Sequence, residues 1–188
     1  MTRILALSGS VRTGSVNTQL LRVAAKAVEE AGAAVTVLNL RDYELPLYDG
    51  DLEAAQGIPQ AALDLKAQFA AHDGLLIACP EYNGSITPLL KNTIDWLSRP
   101  ADGEAPLAAF DGKVAGLIAA SPGALGGLRG LRHVREILSG IRVHVIPDQV
   151  AVGSVHKVLT DDGISDERTA GMLRNLAVNL VRTTGALA

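Results

Sequence analysis

Ser8-Gly9-Ser10-Val11-Arg12-Thr13-Gly14-Ser15-Val16-Asn17, directly after the short apolar run Ile4-Leu5-Ala6-Leu7, decides how the rest of the chain is read. The apolar run has the length of a strand, and a helix pattern follows the turn. Leu20, Val23, Ala24, Ala27, Val28 and Ala31 keep the i, i+3, i+4, i+7 spacing of one buried face. Ser15 or Asn17 can cap its start, and Gly32 stands where a C′ residue belongs. A strand, a hydroxyl-rich turn and a helix start bring backbone N–H groups, hydroxyls and one guanidinium to a single point. The first turn of a helix has unpaired N–H groups and the positive end of its dipole, so this arrangement suits a phosphate. The turn matches neither G-x-x-x-x-G-K-S/T nor G-x-G-x-x-G, which removes support for a P-loop or a Rossmann dinucleotide site. It offers Ser10, Ser15 and Asn17 as donors and Arg12 as a fork for phosphate. The plain alternative is a tight turn and cap with Arg12 in solvent.

Working outward, short apolar runs at 4–7, 35–40, 75–79, 114–120 and 143–146 alternate with longer segments of helical period. That alternation predicts parallel strands covered by helices. A second helix opens at Pro59 and buries Ala62, Leu65 and Phe69; a third follows Pro88 through Leu97. A fourth spans about 127–139 and the last about 166–181. The fold expected is α/β: a flavodoxin-like, doubly wound five-stranded parallel sheet, strand order 2-1-3-4-5, with helices on both faces. The 188 residues are expected to form a single domain, 1–188. The segments 41–58 and 98–112 lack periodicity and read as functional or interface loops.

Composition narrows the classes. Net charge is −3 with mixed signs, so no global field favours nucleic acid. No stretch has the roughly 20 apolar residues a membrane span needs. The one cysteine, Cys79, permits no internal disulfide and no cysteine zinc cluster. With no secretory signal in view, the expected setting is the cytoplasm. His72, His133, His144 and His156 form no metal-ligand spacing, and no G-x-S-x-G elbow appears.

In a sheet of this order, ligands bind outside the carboxyl ends of the strands where the order reverses. The loops there are 8–17, 80–87 and 120–127. The second reads Pro80-Glu81-Tyr82-Asn83-Gly84-Ser85: Pro80 limits φ, Gly84 frees the backbone, and Tyr82 is one of six aromatic residues in the chain. Tyr82 reads either as a flat surface for a heterocycle or as packing against a neighbouring helix or subunit. The third, Ser121-Pro122-Gly123-Ala124-Leu125-Gly126-Gly127, lets a planar ligand approach the backbone or simply turns the chain. Together the loops supply a phosphate cradle, a shaped backbone and an aromatic. They supply no acid, base, nucleophile or metal set, which is the inventory of a protein that leaves chemistry to a cofactor.

On these residues the chain resembles the NADPH-dependent FMN reductase family, flavodoxin-like quinone, chromate and azo-dye reductases. Gly9 to Asn17 resembles the family's phosphate loop. Pro80-Glu81-Tyr82-Asn83-Gly84-Ser85, with Leu90-Lys91-Asn92-Thr93-Ile94-Asp95-Trp96-Leu97-Ser98-Arg99, resembles its flavin-ring loop and next helix; Leu45-Pro46-Leu47-Tyr48-Asp49 also fits. The resemblance implies FMN as cofactor and NADPH or NADH as co-substrate. Ser10, Arg12, Ser15, Val16 and Asn17 would surround the phosphate; Pro80, Glu81, Tyr82, Asn83 and Gly84 would line the ring, and Ser121 would close its other side. It implies no catalytic side chain, hydride passing by way of the flavin to a quinone or other small acceptor. It also implies a homodimer or homotetramer, with the Tyr82 loop near a neighbour and the helix of Arg129, Arg132 and Arg135 helping to build the interface. Arg99 is one cation available to an adenosine phosphate, although a solvated arginine at a helix end is the reading that suits it better. Two other readings share the scaffold: an electron-carrier flavodoxin without NAD(P)H oxidation, and a flavin-free interaction protein.

Overall fold

The computed structural model describes residues 1–160 and 163–188. The chain begins with β1 (Arg3–Ser8), α1 (Val16–Glu30), β2 (Ala34–Leu38), α2 (Gly50–Gln56), α3 (Gln60–Ala70) and β3 (Gly74–Ala78). There follow β4 (Glu81–Tyr82), β5 (Ser85–Ile86), α4 (Pro88–Leu97), β6 (Val114–Ala120), α5 (Leu128–Gly140) and β7 (His144–Val152). It closes with β8 (Leu159–Thr160), β9 (Gly163–Ile164) and α6 (Glu167–Leu187). Five strands form one sheet in the order β2-β1-β3-β6-β7, every pair parallel. This is the expected 2-1-3-4-5 arrangement, because β4–β5 and β8–β9 are small separate two-stranded sheets.

β3 and β6 are buried along their whole length, and β1 is buried from Ile4 onward, as strands covered on both faces must be. Successive residues alternate between two apolar layers. Leu5, Leu7, Leu75, Ile77, Leu117 and Ala119 meet Leu65 and Phe69 of α3, Leu90, Ile94 and Trp96 of α4, and Leu131, Val134 and Leu138 of α5. Ile4, Ala6, Leu76, Ala78, Ile118 and Ala120 meet Leu20, Leu21, Ala24 and Val28 of α1, and Leu173, Leu176 and Leu180 of α6.

Three departures from the expected elements have local causes. α2 lies inside the segment read as aperiodic; it buries none of its residues, so it leaves no apolar rhythm, and Asp49 starts it by accepting from the Asp51 amide at 2.8 Å. β2 ends at Leu38, because Asn39 turns the chain into a short 3-10 turn by accepting from the Arg41 amide at 3.1 Å. β7 runs on through Pro147 to Val152, with a register shift opposite Ala115 and Leu117. β7 is an edge strand, where a proline and a bulge are tolerated. The Arg135 guanidinium donates to the Val145 and Ile146 carbonyls at 3.1 and 2.8 Å at that irregularity. No helix among the described residues is long and apolar enough to cross a membrane.

Candidate functional site

The three loops singled out from the sequence leave the ends of β1, β3 and β6, three adjacent strands of the sheet. The first is folded on its own hydroxyls. Ser8 Oγ accepts from the Ser10 amide at 3.2 Å, Thr18 Oγ1 donates to the Ser10 carbonyl at 3.4 Å, and the Ser15 amide donates to the Arg12 carbonyl at 3.1 Å. Gly14 holds φ +67°, a conformation glycine adopts without penalty. Ser15 is the N-cap of α1 and is buried, yet its side chain makes no capping bond. The first bond of α1 is from the Gln19 amide to the Ser15 carbonyl, so the Val16, Asn17 and Thr18 amides lie ahead of the helical ladder. An exposed Arg12 stands beside them, its guanidinium 3.4 Å from the Thr13 carbonyl.

Asn17 is used differently from the donor role expected of its side chain. Its Nδ2 donates to the Ala120 carbonyl and its Oδ1 accepts from the Ala120 amide, both at 2.9 Å, and the group is buried. The side chain thus pairs like a strand with the end of β6, which leaves Asn17 its backbone N–H to offer a ligand. Thr87 makes the matching tie on the other flank: its Oγ1 donates to the Gly9 carbonyl at 2.8 Å. Sequence reading passed over Thr87, although Thr-Pro at a helix start is an N-cap and N1 signal, and Thr87 does cap α4.

The second loop is a hairpin. Asn83 and Gly84 take φ 51° and 81°, the left-handed pair of a type I′ turn between β4 and β5. Pro80 is buried, and Tyr82 is 53% exposed at the tip. The Glu81 carboxylate faces away from the crevice, into the start of α5: it accepts from the Arg129 and Gly130 amides at 3.0 and 3.1 Å and pairs with the Arg129 guanidinium at 2.5 Å. Burial alone would raise the Glu81 pKa, but the Gly130 amide and Arg129 outweigh it and hold the carboxyl below its ordinary value. Its stabilising contribution is therefore complete above the ordinary carboxylate pKa and is lost as pH falls through the lowered one. Urea unfolding should find wild type ahead of Glu81→Gln at neutral pH, with the gap closing as pH falls below the ordinary carboxylate range; a gap independent of pH would contradict this anchor. In the third loop, Ser121 Oγ accepts from the Gly123 amide at 3.1 Å, and Leu125 is 53% exposed.

Several residues are ruled out of chemistry by their partners. Burial pushes the Cys79 thiol pKa far up, so it is an inert core group. Arg129 is bound to Glu81 and Arg135 to β7, so both are committed within the chain, while Arg132 stays exposed on α5. Arg99 is neither a free cation nor simply solvated: its Nε lies 3.0 Å from both Glu53 carboxylate oxygens, and its guanidinium stacks 5.7 Å from the Tyr48 ring centre. No group of three His, Cys, Asp or Glu that could hold a metal is found among the described residues.

A parallel sheet in this order, with three loops gathered where β1, β3 and β6 end, defines a flavodoxin-like protein. The family model for NADPH-dependent FMN reductase matches residues 2–157. A probable NADPH:quinone oxidoreductase of Oryza sativa is 32% identical, over 95% of this chain and 86% of its own. An NAD(P)H-dependent FMN reductase of Pseudomonas aeruginosa is 36% identical, over 86% of this chain and 83% of its own. Among solved structures, the flavoenzyme NAD(P)H:(acceptor) oxidoreductase FerB of Paracoccus denitrificans superposes with a TM-score of 0.83 at 26% identity, covering 100% of this chain and 99% of its own. The chain belongs to the NADPH-dependent FMN reductase family, and it is an oxidoreductase.

Proposed function

We propose that this chain, acting as one domain over residues 1–188, binds FMN in the crevice over β1, β3 and β6 and passes hydride from NAD(P)H to quinones or other small acceptors. The observation that carries this reading is the double tie, Asn17 to Ala120 and Thr87 to Gly9, that holds the three loops together where β1, β3 and β6 end. The residues fit the cofactor. The Val16 and Asn17 amides, the Ser10 and Ser15 hydroxyls and Arg12 form a site for a phosphate dianion at the positive end of α1. Pro80, Glu81, Tyr82, Asn83 and Gly84 present a backbone edge, stiffened by the Glu81 anchor on α5, where the flavin ring would lie; Ser121 would close the opposite side.

When bound, FMN supplies the hydride chemistry. The protein's residues hold the phosphate, orient the ring and leave one face open for reactants in turn, with no side chain moving a proton at a reacting atom. The exposed tips at Tyr82 and Leu125 fit a homodimer or homotetramer in which a neighbour covers the crevice. A reducing cytoplasm fits the lone buried thiol of Cys79.

Because donor and acceptor share one position, initial rates with NADPH and menadione should give parallel double-reciprocal lines. Intersecting lines would reject sequential use of one face, and a flavin-loaded protein inert to NAD(P)H would make it a carrier. Arg12→Ala should weaken FMN binding about tenfold or more, since a charge-assisted hydrogen bond contributes roughly 1.5–3 kcal/mol. Unchanged flavin content after extensive dialysis would remove Arg12 from the phosphate site.

A further inference from the structure

Resting on the flavin reading above, we propose that the cavity between the phosphate loop and β2 receives the adenosine 2′-phosphate of NADPH. Arg22 and Arg41 would be the residues that favour NADPH over NADH. The cavity measures about 360 Å³, at the low end of small-molecule sites and larger than a phosphate alone requires. It shares Ser10, Arg12 and Ser15 with the site given to the FMN phosphate, and is bordered besides by Thr18 and Arg22 of α1 and by Asn39 and Arg41 of the turn after β2. It lies on the β2 side of β1, whereas the Pro80 loop leaves β3 on the other side.

Its charge is one-sided. Three arginines and no carboxylate line it, in a chain whose net charge is −3. Arg3, Arg99, Arg129, Arg142 and Arg174 are each paired to an Asp or Glu; among the described residues Arg12, Arg22 and Arg41 have no such partner, nor do Arg132, Arg135, Arg168 and Arg182 outside the cavity. The Arg41 guanidinium donates to the Val11 carbonyl, which holds it against the phosphate loop, and Asn39 fixes the turn that carries it. Arg22 follows Thr18 by one helical turn on α1.

The walls suit the rest of an adenosine phosphate. Leu38 and Leu40 border the cavity, and Val37 at the end of β2 is 53% exposed, an apolar rim on which a base can rest. Two guanidinium forks beside Arg12 match a phosphomonoester dianion, which accepts paired N–H donors. That phosphate is the chemical difference between NADPH and NADH, so contacts confined to it change one affinity and spare the other. Arg99 is committed to Glu53, so it is not free for that role.

The test is calorimetric titration of the full-length protein, as purified, with NADP+, NAD+ and 2′,5′-ADP, alongside Arg22→Gln and Arg41→Gln. Either variant should weaken NADP+ and 2′,5′-ADP about tenfold or more, with NAD+ affinity, NADH-driven turnover and flavin absorbance per chain unchanged. Equal weakening of both dinucleotides, or weakening of neither, overturns the proposal. So does loss of FMN, or of added FAD, in place of NADP+, which would give the arginines to the cofactor's own phosphate. Binding of 2′,5′-ADP needs no flavin. Arg22-dependent binding in a chain that refuses FMN would therefore sink the flavin reading and leave the pocket standing.

Discussion

Asn17→Ala should lower stability by roughly 2–6 kcal/mol and release most of the bound flavin. The Asn17 amide satisfies both backbone groups of Ala120, a residue that is 3% exposed. Each buried group left without a partner costs about 1–3 kcal/mol. The same change frees the start of α1 from the end of β6, so the phosphate loop and the Ser121 loop lose their common anchor. Urea unfolding and FMN titration check both effects. Asn17→Asp should remain destabilised, because its carboxylate still accepts from the Ala120 amide but opposes the Ala120 carbonyl. Arg12→Ala provides the contrast: flavin is lost while the urea midpoint of the flavin-free protein stays put. Asn17→Ala with wild-type stability would mean that this tie holds nothing together.

Gly153→Ala should cost roughly 3 kcal/mol and displace the loop that carries Ser121. A Cβ at Gly153 would stand 2.2 Å from the Ala124 carbonyl oxygen and 2.8 Å from its carbon. From the opposite side, a Cβ on Gly126 would come within 2.6 Å of the Gly153 nitrogen and the Val152 carbonyl carbon. These neighbours are backbone atoms, so no rotamer relieves the overlap and the loop itself must move. Gly140 is the control: a Cβ there meets nothing within 4 Å, and Gly140→Ala should leave both stability and flavin binding intact. Equal stability of Gly153→Ala and wild type would contradict the close approach of the third loop to β7.

The sheet was legible because its signals are local. The apolar runs at β1, β3 and β6 are bounded by turn residues, and the α1 pattern with Gly32 at its end left one reading of the first βαβ unit. Local signals also sufficed for the hairpin, where Asn83-Gly84 is the pair a type I′ turn demands. The expectation of a defined turn there stopped short of naming strands. Contacts between distant segments were not legible. Asn17 reaches Ala120 across 103 residues, Glu81 reaches α5 across 48, and Arg99 reaches Glu53 across 46. Asn17 and Glu81 were read as ligand contacts and Arg99 chiefly as solvated, and in each case a backbone group or opposite charge brought close by the fold claimed the side chain. The apolar run at 143–146 stops short of the true end of β7 for a related reason: Pro147 would end a central strand but is accommodated at an edge, and strand position is a property of the assembled sheet.

The structure of crystals soaked with FMN tests the central claim most directly. The account predicts the phosphate at the Ser10, Ser15 and Val16 end of α1, with the ring between the Tyr82 hairpin and Ser121. An empty crevice after saturating soaks, in crystals of a protein that also purifies without colour, would contradict it.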